Sequence, residues 1–576
     1  MTRRPDREDA GPLVSVIVAC GDRPYLLRTR TIPSVLAQTH THWELILVGG
    51  AGTAAAVASA SDERVRHVHA DPGSTDAPDS AFDLGVAAAA GAMIAPLVEG
   101  DAFTPEHLAH VVAALSKGDA DLVYGTVMVR DPNTGAERPE LRPWSDPASR
   151  TLLAQGRLIE PSSAGYLAAM HVDARGADPA ERWRAIERGG ARIASLEAPQ
   201  ARRWGEPGAV INISLPSLPP VDAFVADVAD ILDSRWTSNS GPFCERLERA
   251  LADVLDVPHV VSAPSGDVAL GMAFQAVRSL RPDRDEVVVP SYTFPSTANA
   301  VIRAGLRPRF CDVGPSLCAT VADVTPHVTG RTAAIAPVHA HGIPCDMPGM
   351  EALASANGAM LVADAAAAFG ASLGQRRVGG FGDAEVFSFS STKVVTAGEG
   401  GAIACSDGEL ASLLRRIGRY GLRSDYGADV VGINGRLAEL PAALLLRSLP
   451  FMDEWSHRRR TSAERYVRLL EGCPDVRMPE VPAGAVGTWK DVPLIVATPD
   501  AAHLVVDRLA AYGVQSRPYY RPLHRMEAFR ALAADPLPIA DGLDGRVVCV
   551  PIFNDIADDT VDLVAGVVRE TLEGAG

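Results

Sequence analysis

One lysine of the chain stands between two stretches of different composition. In FSFSSTKVVTAGEGG, from Phe387 to Gly401, Lys393 follows a run rich in serine and threonine and precedes a run rich in glycine. An exposed lysine has a pKa of about 10.4 and is almost wholly an ammonium ion at neutral pH. It becomes a nucleophile only where burial lowers that pKa, or where it is held covalently on an aldehyde cofactor. The alternative is an ordinary surface lysine in a turn.

Other short motifs fall where strands are expected to end. SAPSGDVAL puts Ser265 and Gly266 at a turn that opens a helix, where free amides can bind a phosphate. Phe294 in PSYTFPSTANA could lie flat on a planar ligand, and Asp364 in LVADAAAAFGA needs a cationic partner if it is buried. With Ser388 and the lysine, these are the parts that a pyridoxal phosphate site needs. Each alone has an ordinary alternative, since Ser-Gly turns are common and a strand-end aspartate is often a helix cap.

Residues from about 209 to 576 resemble the DegT/StrS-type sugar aminotransferases, which are fold-type-I enzymes that depend on pyridoxal 5′-phosphate (PLP). The resemblance rests on motifs that occur in order: WTSNSGP, SYTFPSTANA, PVHAHGIPCDM, VADAAAAFGA, FSFSSTK with GEGG, GINGRLAELPAA and RPYYRPLH. It implies an α/β fold with a large domain and a small C-terminal α+β lobe. The cofactor-binding residues that it implies are Lys393, Asp364, Ser265, Gly266, Phe294, Ser388 and Asn434.

The resemblance also implies a role for each of these residues. Lys393 would bond the aldehyde of PLP and Asp364 would pair with its ring nitrogen, so these two are the catalytic candidates. Phe294 would stack on the ring, and Ser388 would bind the phosphate. Asn434 would reach the phosphate of a neighbouring subunit, so the resemblance implies a homodimer with shared active sites.

The implied reaction is transamination of a keto sugar, nucleotide-linked, or of a keto cyclitol, with the amino group taken from an amino acid such as glutamate or glutamine. Ping-pong kinetics are expected, and the product would enter specialised-metabolite or glycan biosynthesis. Candidate substrate contacts are His339, Arg517, Tyr520 and His524. Purely structural roles for the last two remain open.

Two positions depart from the pattern of the family. Asp267 stands where the family usually has threonine, and a carboxylate beside a phosphate repels it unless the side chain points away. Ala367 stands where glutamine is common, near the phenolic oxygen of the cofactor. The lysine is retained, whereas dehydratases of the family carry histidine there, and this favours transamination.

From about Leu13 to Arg203 the chain predicts strands alternating with helices and therefore a mostly parallel sheet. The opening VSVIVACGDRPYLLRTRTIPSVLAQTHTHWELILV and the later AAAAGAMIAPLVEGDAFTPEHL resemble family 2 glycosyltransferases of the Rossmann-like GT-A fold. That chemistry needs paired aspartates on a divalent cation.

Most of the acidic residues that the glycosyltransferase family uses to bind metal and nucleoside are missing from this sequence. Its metal-binding aspartates fall on Val98 and Gly100, which leaves Asp101, with Glu99 out of step. The acid pair near the nucleoside falls on Gly49 and Gly50, and a base could come from Asp178 or Glu181. We therefore expect a non-catalytic domain without a metal site. The alternatives are a bifunctional aminotransferase/glycosyltransferase and a non-catalytic binding or regulatory protein.

Composition limits the classes of partner and the cellular compartment that we expect for the protein. A net charge of −17 disfavours nucleic acids and anionic membranes as partners, and the basic run His457–Arg460 is expected to be a solvated helix face. The eight cysteines include no C-x-x-C pair, so we expect no disulfide framework or zinc site and a cytoplasmic location. The predicted organisation is a disordered tail (1–12), a glycosyltransferase-like domain (13–206), an aminotransferase large domain (207–452) and a small domain (453–576).

Overall fold

The computed structural model describes residues 11–21, 23–70, 78–140, 161–170, 190–204 and 210–574. The chain divides into two compact units. Unit 1 comprises Met1–Val210 with Ala511–Gly513, and unit 2 comprises Ile211–Ala510 with Val514–Gly576. Most of the predicted tail and the predicted boundary at 206/207 fall outside the described residues, so both stay predictions.

Unit 1 is built on a nine-stranded sheet. Its strands are β1 (Val14–Ala19), β2 (Trp43–Gly49), β3 (Val65–His69), β4 (Met93–Pro96), β5 (Ala102–Phe103), β6 (Leu122–Arg130), β7 (Glu137–Glu140), β8 (Ala164–Leu167) and β9 (Ile193–Trp204). Their order is β3-β2-β1-β4-β8-β6-β9-β5, and β7 pairs with β6. Its described α-helices are Pro24–Leu26, Ile32–Leu36, Ala51–Ala60, Pro78–Ala87 and His107–Ser116.

The prediction of a mostly parallel sheet is right for β1 to β4 and for the pair of β6 and β9, and wrong for β5, β7 and β8. The first four strands pair in parallel, and β1, β2 and β4 carry near-continuous apolar runs, as strands covered on both faces do. β8 pairs antiparallel with β4 and β6, and β5 pairs antiparallel with β9. The link from β6 to β7 spans residues 131–136, which is too short for a parallel crossover.

The larger sheet of unit 2 has seven strands. The strands of this region are β10 (His259–Ala263), β11 (Glu286–Pro290), β12 (Arg307–Cys311), β13 (Thr332–Ile335), β14 (Met360–Asp364), β15 (Ser372–Leu373), β16 (Arg376–Arg377), β17 (Ala384–Ser388) and β18 (Gly401–Cys405). The order is β10-β18-β17-β14-β13-β11-β12, and β18 is antiparallel to both of its neighbours. The α-helices around it are Val221–Ser234, Pro242–Leu255, Gly266–Leu280, Ser296–Arg303, Val321–Val324, Met347–Asn357, Gly408–Ile417 and Glu439–Ser448.

The remainder of unit 2 forms a smaller α+β part. Its strands are β19 (Val476–Arg477), β20 (Ala485–Val486), β21 (Val492–Val496), β22 (Arg517–Pro518) and β23 (Val547–Val550). Four of them make an antiparallel sheet in the order β19-β21-β23-β22, and β20 joins β15 and β16. The α-helices are Met452–Leu470, Pro499–Ala511, Pro538–Leu543 and Asp558–Glu573. Within the described ranges, no helix is both long and apolar enough to span a membrane.

The topology of the large sheet explains where the chemistry-bearing residues come together. Asp364 ends β14, and Ser388 ends β17, the parallel neighbour of β14. The segment 389–400, which contains Lys393, links β17 to its antiparallel neighbour β18. Because parallel strands end at the same edge of a sheet, these residues meet there.

The expectation that His457–Arg460 is a solvated face is wrong at one residue. Arg459 is fully buried, and its guanidinium donates to Asn554 Oδ1 (2.5 Å) and to the carbonyl oxygens of Trp489 and Lys490. The charge count of the run hid this arrangement, because one face of the helix Met452–Leu470 packs inward while its neighbours remain exposed.

Replacing Arg459 tests the importance of this buried guanidinium. Arg459→Ala is expected to lower the free energy of unfolding by about 2–4 kcal/mol, because it leaves buried oxygen acceptors unpaired and opens a cavity. Arg468→Ala, on the exposed face of the same helix, should change it by less than about 0.5 kcal/mol. Urea unfolding followed by tryptophan fluorescence measures both, and equal losses would contradict a structural role for Arg459.

Candidate active site

A cavity of about 400 Å³ in unit 2 gathers most of the predicted site residues. Its lining includes Ser265, Gly266, Phe294, His339, Asp364, Ser388, Lys393, Arg517 and Tyr520. The predicted residues Asn434 and His524 are not among those that line it. Residues more than 250 positions apart in the sequence therefore share one site, which the fold assembles from strand ends and from the smaller part of unit 2.

One end of the cavity is shaped to receive a phosphate. The helix Gly266–Leu280 begins there, with Ser265 Oγ accepting a hydrogen bond from the amide of Val268 at 3.2 Å. A Cβ on Gly266 would lie 2.7 Å from Cβ of Ser388, so only glycine allows this close approach. The positive end of the helix and two serine hydroxyls thus face one small space.

The negative charge of Asp267, which departs from the family pattern, is compensated by an arginine. Its Oδ2 accepts a hydrogen bond of 2.8 Å from the guanidinium of Arg303 on the neighbouring helix. Both side chains are substantially exposed, so the pair stabilises the fold little, but it reduces the negative field at the phosphate end. The repulsion expected from the sequence is weakened by this partner.

Asp364 is held in a fixed orientation at the carboxyl end of β14. Its Oδ2 accepts a hydrogen bond from Thr297 Oγ1 (2.7 Å), and its Oδ1 accepts one from the amide of Ala366 (3.1 Å). The carboxyl group is nearly buried and still lines the cavity. It is therefore pre-positioned to accept a hydrogen bond from a protonated ring nitrogen of a bound heterocycle.

Two lysines line the cavity, and their environments separate their proton affinities. Burial and the nearby ammonium of Lys490 lower the pKa of Lys393 to about 8. Burial opposes the charged form of Lys490 as well, but the carboxylate of Asp491, 2.7 Å away, raises the pKa of Lys490. Lys393 is thus the amine that loses its proton first and the better nucleophile of the two.

Sequence reasoning missed three residues that contact one another at this cavity, namely His341, Lys490 and Asp491. His341 is fully buried, lines the cavity, and lies 3.3 Å through Nδ1 from Oδ2 of Asp491. Lys490 pairs with the same carboxylate. The signals were present, since His341 belongs to the quoted PVHAHGIPCDM and the charged pair interrupts the apolar TWKDVPLIV. Neither signal reveals a contact between residues 150 positions apart.

Both histidines that were predicted to contact substrate, His339 and His524, already have hydrogen-bond partners. His339 Nε2 lies 3.0 Å from Glu385 Oε1, and its Nδ1 accepts from the amide of Cys345. His524 Nδ1 lies 2.6 Å from Ser291 Oγ and its Nε2 lies 2.7 Å from Asp541 Oδ1. Their predicted contacts with substrate stay predictions, but these bonds place both rings in structural networks.

The cavity fits PLP. It offers a nucleophilic amine at Lys393, a fixed carboxylate at Asp364, an anion-binding helix start at Ser265 and Gly266, and a half-exposed ring at Phe294 (56 % exposed). These groups match the aldehyde, the ring nitrogen, the phosphate and the aromatic face of the cofactor, respectively.

Unit 1 has a larger cavity of about 720 Å³, lined in part by Arg23, Gly49, Gly50, Thr53 and Glu99. The divalent cation of GT-A enzymes does not fit the acids found there. Glu99 Oε2 accepts from Arg23 Nε (3.1 Å) and from the amide of Gly21 (3.0 Å), and burial raises the pKa of Glu99.

The second retained acid of unit 1 is also engaged. Asp101 Oδ2 accepts from Ser162 Oγ (2.5 Å) and lies 3.5 Å from Arg203 Nε. Within the described ranges, no group of three or more His, Cys, Asp or Glu side chains is placed to hold a metal ion. The candidate bases Asp178 and Glu181 lie outside the described residues.

Gly266→Ala tests the phosphate end of the unit 2 cavity. The new methyl group would push against Ser388, so the affinity for PLP should fall about 10-fold or more, as measured by equilibrium dialysis of the apoprotein. Gly271→Ala on the same helix is the control, because a Cβ there meets nothing within 4 Å. Equal affinity for PLP in both variants would contradict a phosphate site at Gly266.

Comparisons with known proteins agree with this geometry. Residues 221–569 match the model of the DegT/DnrJ/EryC1/StrS aminotransferase family, and residues 15–175 match that of glycosyl transferase family 2. The chain is 36% identical to a UDP-N-acetyl-3-dehydro-alpha-D-glucosamine 3-aminotransferase of Acidithiobacillus ferrooxidans, over 61% of this chain and 95% of the relative. It is 32% identical to a GDP-perosamine synthase of Caulobacter vibrioides, over 60% of this chain and 94% of the relative.

A solved structure shares the architecture of unit 2. The crystal structure of DesI in the presence of its TDP-sugar product superposes with a TM-score of 0.59 and 30% sequence identity, covering 63% of this chain and 95% of that one. The family match spans more than half of the chain and includes all of the cavity residues named above for PLP. The chain therefore belongs to the DegT/DnrJ/EryC1/StrS aminotransferase family and carries a glycosyltransferase-2-type unit before it.

Proposed function

We propose that unit 2 transfers an amino group from an amino acid, such as glutamate or glutamine, to a nucleotide-linked keto sugar, with PLP as cofactor. The observation that carries the proposal is one cavity with an amine of lowered pKa at Lys393 and a fixed carboxylate at Asp364. Family membership supports transamination, and the names of the relatives support a sugar nucleotide. A keto cyclitol is the alternative acceptor.

PLP, when bound, supplies an electrophilic carbon and a protonated ring that delocalises the charge left when a substrate carbon loses its proton. Asp364 would keep that proton on the ring nitrogen, since Thr297 and Ala366 hold the carboxylate in place. Lys393 Nζ would be the nucleophile that holds the cofactor. Once an amino donor has released it, Nζ would be the base that takes the proton from the substrate carbon.

We infer that the working enzyme is a homodimer in which Asn434 reaches the cofactor phosphate of the partner. Asn434 is exposed, and its Oδ1 accepts a hydrogen bond of 2.9 Å from Arg436 Nε. In the same segment, Tyr426 is 85 % exposed and Val431 is 80 % exposed. Such apolar side chains are what a second copy of the chain would cover.

We propose that unit 1 is non-catalytic, because arginines neutralise both acids that remain at its expected metal site. A bifunctional aminotransferase/glycosyltransferase is the alternative, and the persistence of a cavity of about 720 Å³ favours it. For the whole chain we propose a cytoplasmic location, supported by eight cysteines that are all free thiols.

Chemical labelling identifies the lysine that holds the cofactor. Borohydride treatment of the holoprotein should fix PLP on the peptide that contains Lys393 and leave Lys490 unmodified, as measured by mass spectrometry. The extent of attachment should rise with pH through a midpoint near 8, because only the neutral amine reacts.

Two variants serve as controls for the labelling. Lys393→Ala should abolish it. Lys490→Met should retain it but move the midpoint to higher pH, because the variant lacks the positive charge that lowers the pKa of Lys393. Labelling of Lys490, or an unchanged midpoint in Lys490→Met, would contradict the division of roles between the two lysines.

The proposed inactivity of unit 1 is tested directly by product release. UDP-, GDP- and dTDP-sugars incubated with the full chain and Mg²⁺ or Mn²⁺ should release no nucleoside diphosphate above a control without protein, since arginines pair with both acids at the expected metal site. Metal-dependent release that is lost in Glu99→Gln would establish the bifunctional alternative instead.

A further inference from the structure

His341 lines the cavity that holds Lys393 and has a ring nitrogen without a partner. The ring is fully buried, and no described residue donates to or accepts from its Nε2. An unpaired buried polar atom destabilises the protein, because it has lost its hydrogen bond to water and gained none in return. Since His341 also lines the cavity, a bound ligand is positioned to supply the missing hydrogen bond.

The surroundings decide which ring nitrogen of His341 carries the proton. Lys490 and His341 hold the pKa of Asp491 well below its usual range despite burial, so Asp491 is a carboxylate and can only accept. Nδ1, 3.3 Å from Oδ2 of Asp491, must therefore be the donor. In the neutral ring Nε2 is then left as a buried lone-pair acceptor of a residue that lines the cavity.

The position of the ring is fixed from several sides. The amide of Lys490 donates to the carbonyl of His341, and the amide of Thr488 donates to that of Gly342, both at 2.9 Å. The ring of Tyr520 stacks on that of His341 with centroids 5.2 Å apart. His341 has a φ of +54°, an uncommon conformation for a residue with a side chain, and these contacts maintain it.

An acceptor nitrogen selects between the two substrates of the proposed reaction. The carboxylates of an amino-acid donor only accept and gain nothing from a lone pair, and its α-amino group must face the cofactor to be transferred. Lys490 and Arg517 line the same cavity, with Nζ and Cζ at 5.5 and 6.0 Å from the centre of the Tyr519 ring, and are the cationic groups suited to those carboxylates. A sugar, in contrast, carries hydroxyl groups, each of which can donate.

We propose that His341 is a specificity-determining residue whose Nε2 accepts a hydrogen bond from a hydroxyl group of the keto sugar, with Asp491 and Lys490 as its positioning residues. This inference rests on the proposed function of unit 2. It predicts that His341 acts in the sugar half-reaction and leaves the amino-acid half-reaction unchanged.

The test compares His341→Phe with His341→Gln in the full-length holoprotein. Phenylalanine keeps a ring against Tyr520 but has no acceptor, whereas the Gln side chain returns an acceptor oxygen near the position of Nε2. His327→Phe is the matched control, because His327 is another buried histidine next to a carboxylate (Asp535, 3.2 Å) and is outside the cavity lining.

Two readouts separate the proposal from the proposed function. The absorbance change of bound PLP on adding glutamate or glutamine reports the first half-reaction. Binding of UDP-N-acetylglucosamine, GDP-mannose and dTDP-glucose, which lack a ketone and cannot react, is titrated by the perturbation of PLP fluorescence. UDP, GDP and dTDP are titrated in parallel as probes without a sugar.

The expected result is a loss confined to the sugar. For the sugar nucleotide that binds wild-type protein, His341→Phe should raise Kd about 10-fold or more, and His341→Gln should stay within about threefold. The Kd of the matching nucleoside diphosphate and the rate of the amino-acid half-reaction should stay within about twofold in all variants, and His327→Phe should behave as wild type.

Other outcomes overturn the proposal in distinguishable ways. Equal weakening of nucleoside diphosphate and sugar nucleotide in His341→Phe, or loss of the amino-acid half-reaction, would show a merely structural ring. A wild-type protein that reacts with glutamate or glutamine but binds none of the sugar probes would refute the sugar contact and leave the amino-acid half-reaction standing. Absence of any reaction with an amino donor would refute the proposed function itself.

Discussion

Two amines share the cavity of unit 2, and a single carboxylate decides which of them carries the charge. Asp491 stabilises the ammonium of Lys490, and that ammonium, together with burial, lowers the pKa of Lys393. A cavity with two isolated lysines would have no such preference, because each would suffer the same loss of hydration. The nucleophile is therefore defined by a neighbour that takes no direct part in bond formation.

The carboxylate of Asp491 also contacts His341, which lines the same cavity as the two lysines. Asp491 accepts from His341 as well as from Lys490, so one buried charge sets a proton affinity on one side and a ring tautomer on the other. Arg459 donates to the backbone carbonyl of Lys490 from the helix Met452–Leu470. The smaller part of unit 2 thus supplies polar groups that the strand ends of the large sheet lack, which explains why both parts are needed for one site.

In unit 1, arginines pair with the acidic residues that a ligand would otherwise use. Glu99 and Asp101 remain where the resemblance predicted a metal site, but Arg23 and Arg203 pair with them. A carboxylate paired with a guanidinium is a poor ligand for a divalent cation, because the guanidinium already offsets its charge. The two units therefore differ in whether their acidic groups remain available to a ligand. In unit 2, Asp364 has neutral donors and faces the cavity.

Short motifs in the sequence were sufficient to identify the fold class, the strands that carry the chemistry, and Lys393, Asp364, Ser265, Gly266 and Phe294 as residues of one cavity. Such residues follow strand ends, and a sheet brings strand ends together whatever the loops do. The tertiary structure alone decided that Arg459 is buried, that His339 has both nitrogens engaged, and that His341, Lys490 and Asp491 meet. Burial and partnership between distant residues depend on packing in three dimensions, and these are the factors that shift a pKa or leave a ring nitrogen free.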